Sequence, residues 1–112
     1  MASHLAALAQ GHLLSPPWTT YCLDILGRQK LGLQSIPRLL PCGTRVCHKS
    51  GTILGVVNAA GLVEVGGAGN RVAIAVFIKD CARHHEPLAE AVIARIGKAA
   101  WDTYAGYGNK RN

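Results

Sequence analysis

The stretch Thr44–Lys79, TRVCHKSGTILGVVNAAGLVEVGGAGNRVAIAVFIK, decides the fold. It holds three runs rich in β-branched and apolar residues, at 44–52, 56–65 and 71–79. Breaks at Ile53-Leu54-Gly55 and at the glycine turn Gly66–Asn70 separate them. Connections this short join only antiparallel neighbours, so the stretch predicts a three-stranded meander. Its last run is anomalous, because Val72–Ile78 (VAIAVFI) is apolar at every position. Such a strand is normally covered on both faces and central in a sheet. A three-strand meander leaves it at the edge, where a long apolar strand is a template for pairing with another chain. The sheet therefore reads as incomplete on that side, which predicts self-association or pairing through Val72 to Ile78.

Helical patterns flank the strands. Residues 2–10 are alanine-rich with Leu5 and Leu8 three apart, and Gly11 ends the pattern. SPPWTTYCLDILGRQ follows, with Ser15 as the N-cap, Pro16 in the first turn, and Cys22, Ile25 and Leu26 at helical spacing. Gly27, Gly32, Pro37 and Pro41 punctuate an irregular exit. After the strands, EPLAEAVIARIGKAAWDTYAG predicts an amphipathic helix. Leu88, Val92, Ile96 and either Ala99 or Ala100 form its expected core-facing stripe, and Gly106 its stop. The fold class is α+β: helices, then the meander, then a C-terminal helix packed on the sheet. One domain covers residues 1–105, followed by a polar tail at 106–112.

With 112 residues, about half of them hydrophobic, the chain builds one small core. Its net charge of +6 favours anionic partners. The charge is scattered apart from the tail GNKRN, with no basic stripe interleaved with aromatics, so nucleic acid is not the expected partner. Cys22, Cys42, Cys47 and Cys81 form no C-x-x-C pair and predict free thiols and a reducing compartment, or else incidental cysteines. MASHLAALAQGHLL lacks the basic flank and long apolar core of a signal peptide, and no apolar run reaches membrane-spanning length. Cys42, Cys47, His48, Cys81, His84 and His85 are of zinc-binding type, but their spacing matches no finger or ribbon. Neither a metal nor a cofactor is expected.

The chain shows no complete catalytic constellation. G-x-S-x-G is absent, no serine sits on a strand-to-helix elbow, and Asp24, Asp80 and Asp102 form no acid–base pair. The chemistry concentrates in Lys49-Ser50-Gly51-Thr52, at the end of the first strand. Alternation puts Lys49 and Gly51 on one face and Ser50 and Thr52 on the other. Gly51 admits close approach to the backbone. The Thr52 N–H, on a free strand edge, would donate to a carbonyl or oxyanion. The set makes a carboxylate- and oxyanion-binding surface, or else only a solvated strand end.

The order of these segments adds a further clue. GHLLSPPWTTYCLDILGRQ, IPRLLPCGTRVCHKSGT, GVVNAAGLVEV, RVAIAVFIKD and a closing helix together resemble the C-terminal part of class A β-lactamases and related serine hydrolases. The resemblance covers about residues 1 to 105. It implies acyl transfer from a β-lactam or peptide-like amide to a serine, then hydrolysis, with three motifs building the site: S-x-x-K, S-D-N and K-T-G. It implies that Lys49 directs positive charge toward the substrate carboxylate, that Ser50 binds that carboxylate, that Gly51 allows close approach, and that the Thr52 N–H is half of the oxyanion hole. The family is mostly periplasmic or secreted, and its N-terminal strands pair beside the strand corresponding to Val72–Ile78. This chain contains no S-x-x-K and no S-D-N, and the family's N-D pair reads Asn58-Ala59. The expectation is a fragment or one half of a split enzyme, supplying the K-T-G wall and inactive alone. The alternative is a non-catalytic interaction module that pairs through its apolar edge strand.

Overall fold

The computed structural model describes residues 1–67 and 69–110, apart from the side chains of 107–110. Helix α1 spans Ala2–Ala9 and α2 spans Pro16–Gly27. Strands β1 (Val46–Ile53), β2 (Val56–Glu64) and β3 (Arg71–Ile78) follow. A 3-10 turn at Arg83–His85 leads into α3, Glu86–Lys110. The strands form one antiparallel sheet in the order β1-β2-β3, so the α+β meander expected from the sequence is present.

Boundaries shift where local chemistry differs from the pattern. β1 runs to Ile53, which pairs with Val56, and the turn is only Leu54-Gly55. Gly55 supplies the positive φ, +81°, that a two-residue hairpin turn demands. Ser15 is the N-cap of α2 and Pro16 its first residue, but no Ser15 side-chain hydrogen bond caps the helix. Thr19 instead donates its hydroxyl to the Leu14 carbonyl at 3.2 Å. Gly106 does not stop α3, which continues to Lys110.

The sheet is covered on both faces. Cys47 of β1, Leu62 of β2 and Ala73 of β3 share the face packed by α1 and α2, through Leu5, Leu8, Leu23 and Leu26. Val46, Val57, Ala59, Val63 and Ile74 share the other face, where α3 inserts Ala89 and Ile93 and the loop before β1 inserts Ile36. Alternation along each strand sends successive side chains to opposite layers.

The register of α3 corrects the stripe expected from the sequence. Leu88, Val92 and Ile96 are exposed, while Ala89, Ile93, Ala94 and Gly97 are buried. The contacts of α3 with the sheet and with the loop before β1 select small residues as well as large ones. A Cβ on Gly97 would lie 3.0 Å from the Ile36 carbonyl oxygen, so the backbones meet there without room for a side chain. Leu88, Val92 and Ile96 form a lateral apolar flank instead.

Candidate functional site: the open edge of β1

The direction of each backbone group in β1 follows from one hydrogen bond. The Glu64 N–H donates to the Arg45 carbonyl at 3.0 Å, and these residues stand opposite one another at the start of the β1–β2 ladder. Direction alternates along an antiparallel strand. Cys47, Lys49, Gly51 and Ile53 therefore point their N–H and C=O groups at β2. Val46, His48, Ser50 and Thr52 point theirs the other way, toward the open side of β1. The sequence left it undecided whether the Thr52 N–H lies on a free edge, and the ladder puts it there.

The K-S-G-T side chains gather around that edge. Lys49 is exposed, and its ammonium donates to the Ser50 carbonyl, one of the outward-directed groups. Lys49 and Gly51 line a cavity of about 280 Å³, walled by Met1, Leu5 of α1, Leu26 of α2, Asn58 of β2 and Phe77 of β3. A Cβ on Gly51 would meet nothing within 4 Å, so the backbone is open to close approach. Ser50 lies half-buried under Gly32, where a Cβ would come 2.6 Å from the serine oxygen. Gly32 has a φ of +72°. The loop after α2 thus bends over the Ser50 hydroxyl, which only a glycine permits. Thr52 is exposed.

Two neighbours of this edge were not legible as partners in the sequence. Asn58, a lining residue of the cavity, stands opposite Gly51, and its Oδ1 is buried without a hydrogen-bond partner. His48 is 3% exposed, opposite Gly61, and its Nδ1 lacks a partner. Burial lowers the His48 pKa below the usual histidine value, and the neighbouring Lys49 charge lowers it further. Burial raises that of the Cys47 thiol, partly offset by Arg45. No group of three or more His, Cys, Asp or Glu residues arranged to hold a metal occurs among the described residues. No helix among them is long and apolar enough to cross a membrane. The basic side chains of the GNKRN tail lie outside the described residues.

The buried histidine makes stability depend on pH. The unfolded chain takes up a proton at His48 near pH 6.5, whereas the folded chain resists it. The stabilising contribution is therefore full above pH 6.5 and is lost as pH falls from there through the lowered folded value. We expect the unfolding free energy measured in urea to fall between pH 7 and pH 5, by at most about 1.4 kcal/mol per pH unit, and the midpoint to fall with it. His48→Gln should flatten this dependence. A midpoint that falls equally in wild type and variant would refute it.

Comparisons with known proteins identify the family and the fold. The family model described as Beta-lactamase enzyme family matches residues 1–104. The chain belongs to the β-lactamase family. Among solved structures, TLA-1 extended-spectrum β-lactamase superposes with a TM-score of 0.82 at 28% identity, over 93% of this chain and 40% of its own. A β-lactamase from Chitinophaga pinensis gives 0.83 at 30% identity, over 91% and 39%. PBP-A gives 0.80 at 27% identity, over 92% and 37%. The chain thus spans well under half the length of these structures. No curated protein matches it by sequence. The fold is the corresponding portion of a β-lactamase, a hydrolase-family architecture.

Proposed function

We propose that the open edge of β1 is the carboxylate- and oxyanion-binding wall of a serine β-lactamase-like acyl-transfer site. The observation that carries this reading is the outward direction of the Thr52 N–H beside the Lys49 ammonium, in a chain of this family. Lys49 supplies positive charge to the substrate carboxylate and Ser50 a hydroxyl. Gly51 leaves room for the substrate, and the Thr52 N–H donates to the oxygen that becomes negative as the carbonyl turns tetrahedral. The attacking serine comes from S-x-x-K, which this sequence does not contain. The chain by itself binds and polarises but does not attack.

The test measures hydrolysis of a chromogenic β-lactam by the chain alone and after mixing with a β-lactamase polypeptide that carries S-x-x-K and S-D-N. We expect no turnover alone and turnover in the mixture. Thr52→Pro removes one N–H from the open edge and leaves the bonds to β2 intact, so it should lower the rate about 10²–10³-fold. Turnover by the chain alone, or a Thr52→Pro mixture as fast as wild type, would overturn the reading. A second reading, an interaction module that pairs through β3, is favoured by that strand's position at the other edge of the sheet. Binding to the same polypeptide without restored activity would select it.

A further inference from the structure

The far edge of the sheet has a definite pattern of its own. The Val65 N–H donates to the Asn70 carbonyl at 2.9 Å, which sets the phase of the β2–β3 ladder. Val72, Ile74, Val76 and Ile78 therefore bond to β2, while Arg71, Ala73, Ala75 and Phe77 direct their N–H and C=O groups outward. Beside this edge lies the flank of α3, with Leu88, Val92 and Ile96 at 63%, 44% and 40% exposure. Val92 and Trp101 are nine residues apart, which turns them to opposite sides of the helix. Trp101 faces the cavity wall formed by Cys42–Arg45, before β1. Val92 consequently faces away from β1, beyond β3.

We propose that a second copy of this chain occupies this edge, with β3 pairing antiparallel to its own symmetry mate across a two-fold axis perpendicular to the sheet. The proposal is independent of the hydrolase reading. Of the registers that let the outward groups pair, those centred on Ala75 and on Ile74 keep the longest overlap of the strand. Centring on Ala75 sets Arg71 opposite Lys79, a like-charge pair. Centring on Ile74 sets Arg71 opposite the exposed ring of Phe77, a favourable cation–aromatic pair, and Ala73 opposite Ala75. This second register closes about eight hydrogen bonds and continues the apolar face through Val72, Ile74 and Val76.

The helices fit the same arrangement. α3 rests on β2 and β3 together, as α1 does on the opposite face. In a six-stranded sheet the two copies of α3 would then lie two strand spacings apart, about 10 Å. That is the distance at which helices pack, and it brings the Leu88–Val92–Ile96 flanks together across the axis. A seam about 26 Å long and two layers, about 20 Å, deep offers about 500 Å² per copy. The total of about 1,000 Å² reaches the lower bound for a specific interface.

Sedimentation of the full chain should give a closed dimer at twice the 11.8 kDa chain mass. Ala75→Pro deletes one outward N–H per copy without touching the β2 ladder, and Val92→Lys places a charge in the helix seam. Each should raise the dimer dissociation constant about 100-fold while leaving the circular dichroism spectrum unchanged. A monomer at about 100 μM would overturn the proposal. So would an open-ended aggregate, a dimer that neither variant dissociates, or a monomer that pairs only with a polypeptide carrying the first strands of a β-lactamase.

Discussion

Ile93→Ala should destabilise the chain by about 2–5 kcal/mol, whereas Val92→Ala, one residue away, should change the stability of the folded monomer by less than about 0.5 kcal/mol. Ile93 is 0% exposed and packs against Ile36, Val57 and Ile74, so truncation leaves a cavity that neighbours on three elements cannot fill. Val92 lies on the exposed flank of α3. Urea unfolding at pH 7, at a protein concentration low enough to keep the chain monomeric, measures both. Equal losses at the two positions would return the buried face to the Leu88–Val92–Ile96 stripe and refute the observed register. For a domain of this length a loss of that size is a large part of total stability.

Gly61→Ala should cost about 3 kcal/mol, although it adds a single methyl group to an interior strand. Gly61 stands opposite His48 in the middle strand, in a non-hydrogen-bonded pair where the two backbones approach closely. A Cβ there would fall 2.8 Å from the Cys47 carbonyl oxygen and 2.8 Å from the His48 Cβ. Both belong to β1, so the clash is relieved only by moving the strand that carries Lys49 and Thr52. Gly51→Ala, whose Cβ points into open space, should be close to neutral for stability. Thermal melts of the two variants decide the matter, and a Gly61→Ala chain as stable as wild type would show that β1 yields freely.

The sheet was legible because period-two patterning and glycine turns leave few alternatives for 44–79. The K-S-G-T box was legible as chemistry because a lysine, two hydroxyls and a glycine at a strand end are few and conspicuous. The buried face of α3 was not legible. Its apolar spacing at 88, 92 and 96 is regular, yet shape overruled hydropathy. Ala89 and Ala100 occupy the face turned to the core, and Gly97 admits the backbone of the Ile36 loop, where leucines would not fit. The environment of Ser50 was hidden for a similar reason. Its hydroxyl is bounded by Gly32, eighteen positions upstream, and nothing local to Ser50 encodes that contact. The sequence marks His48 only as a residue of zinc-binding type, but strand alternation and the absent side chain of Gly61 bury it.

The two-residue turn Leu54-Gly55 has a consequence beyond closing a hairpin. It acts like a reading frame for the ladder. With two residues in the turn, Ile53 and Val56 meet as a bonded pair, and counting back from them turns Thr52 outward. A turn of another parity would rotate β1 half a turn about its own axis, directing the Thr52 N–H into the sheet and sending Val46 and Cys47 each to the opposite layer. The length of this small surface turn, remote from any reacting atom, therefore carries as much functional information as the lysine beside it.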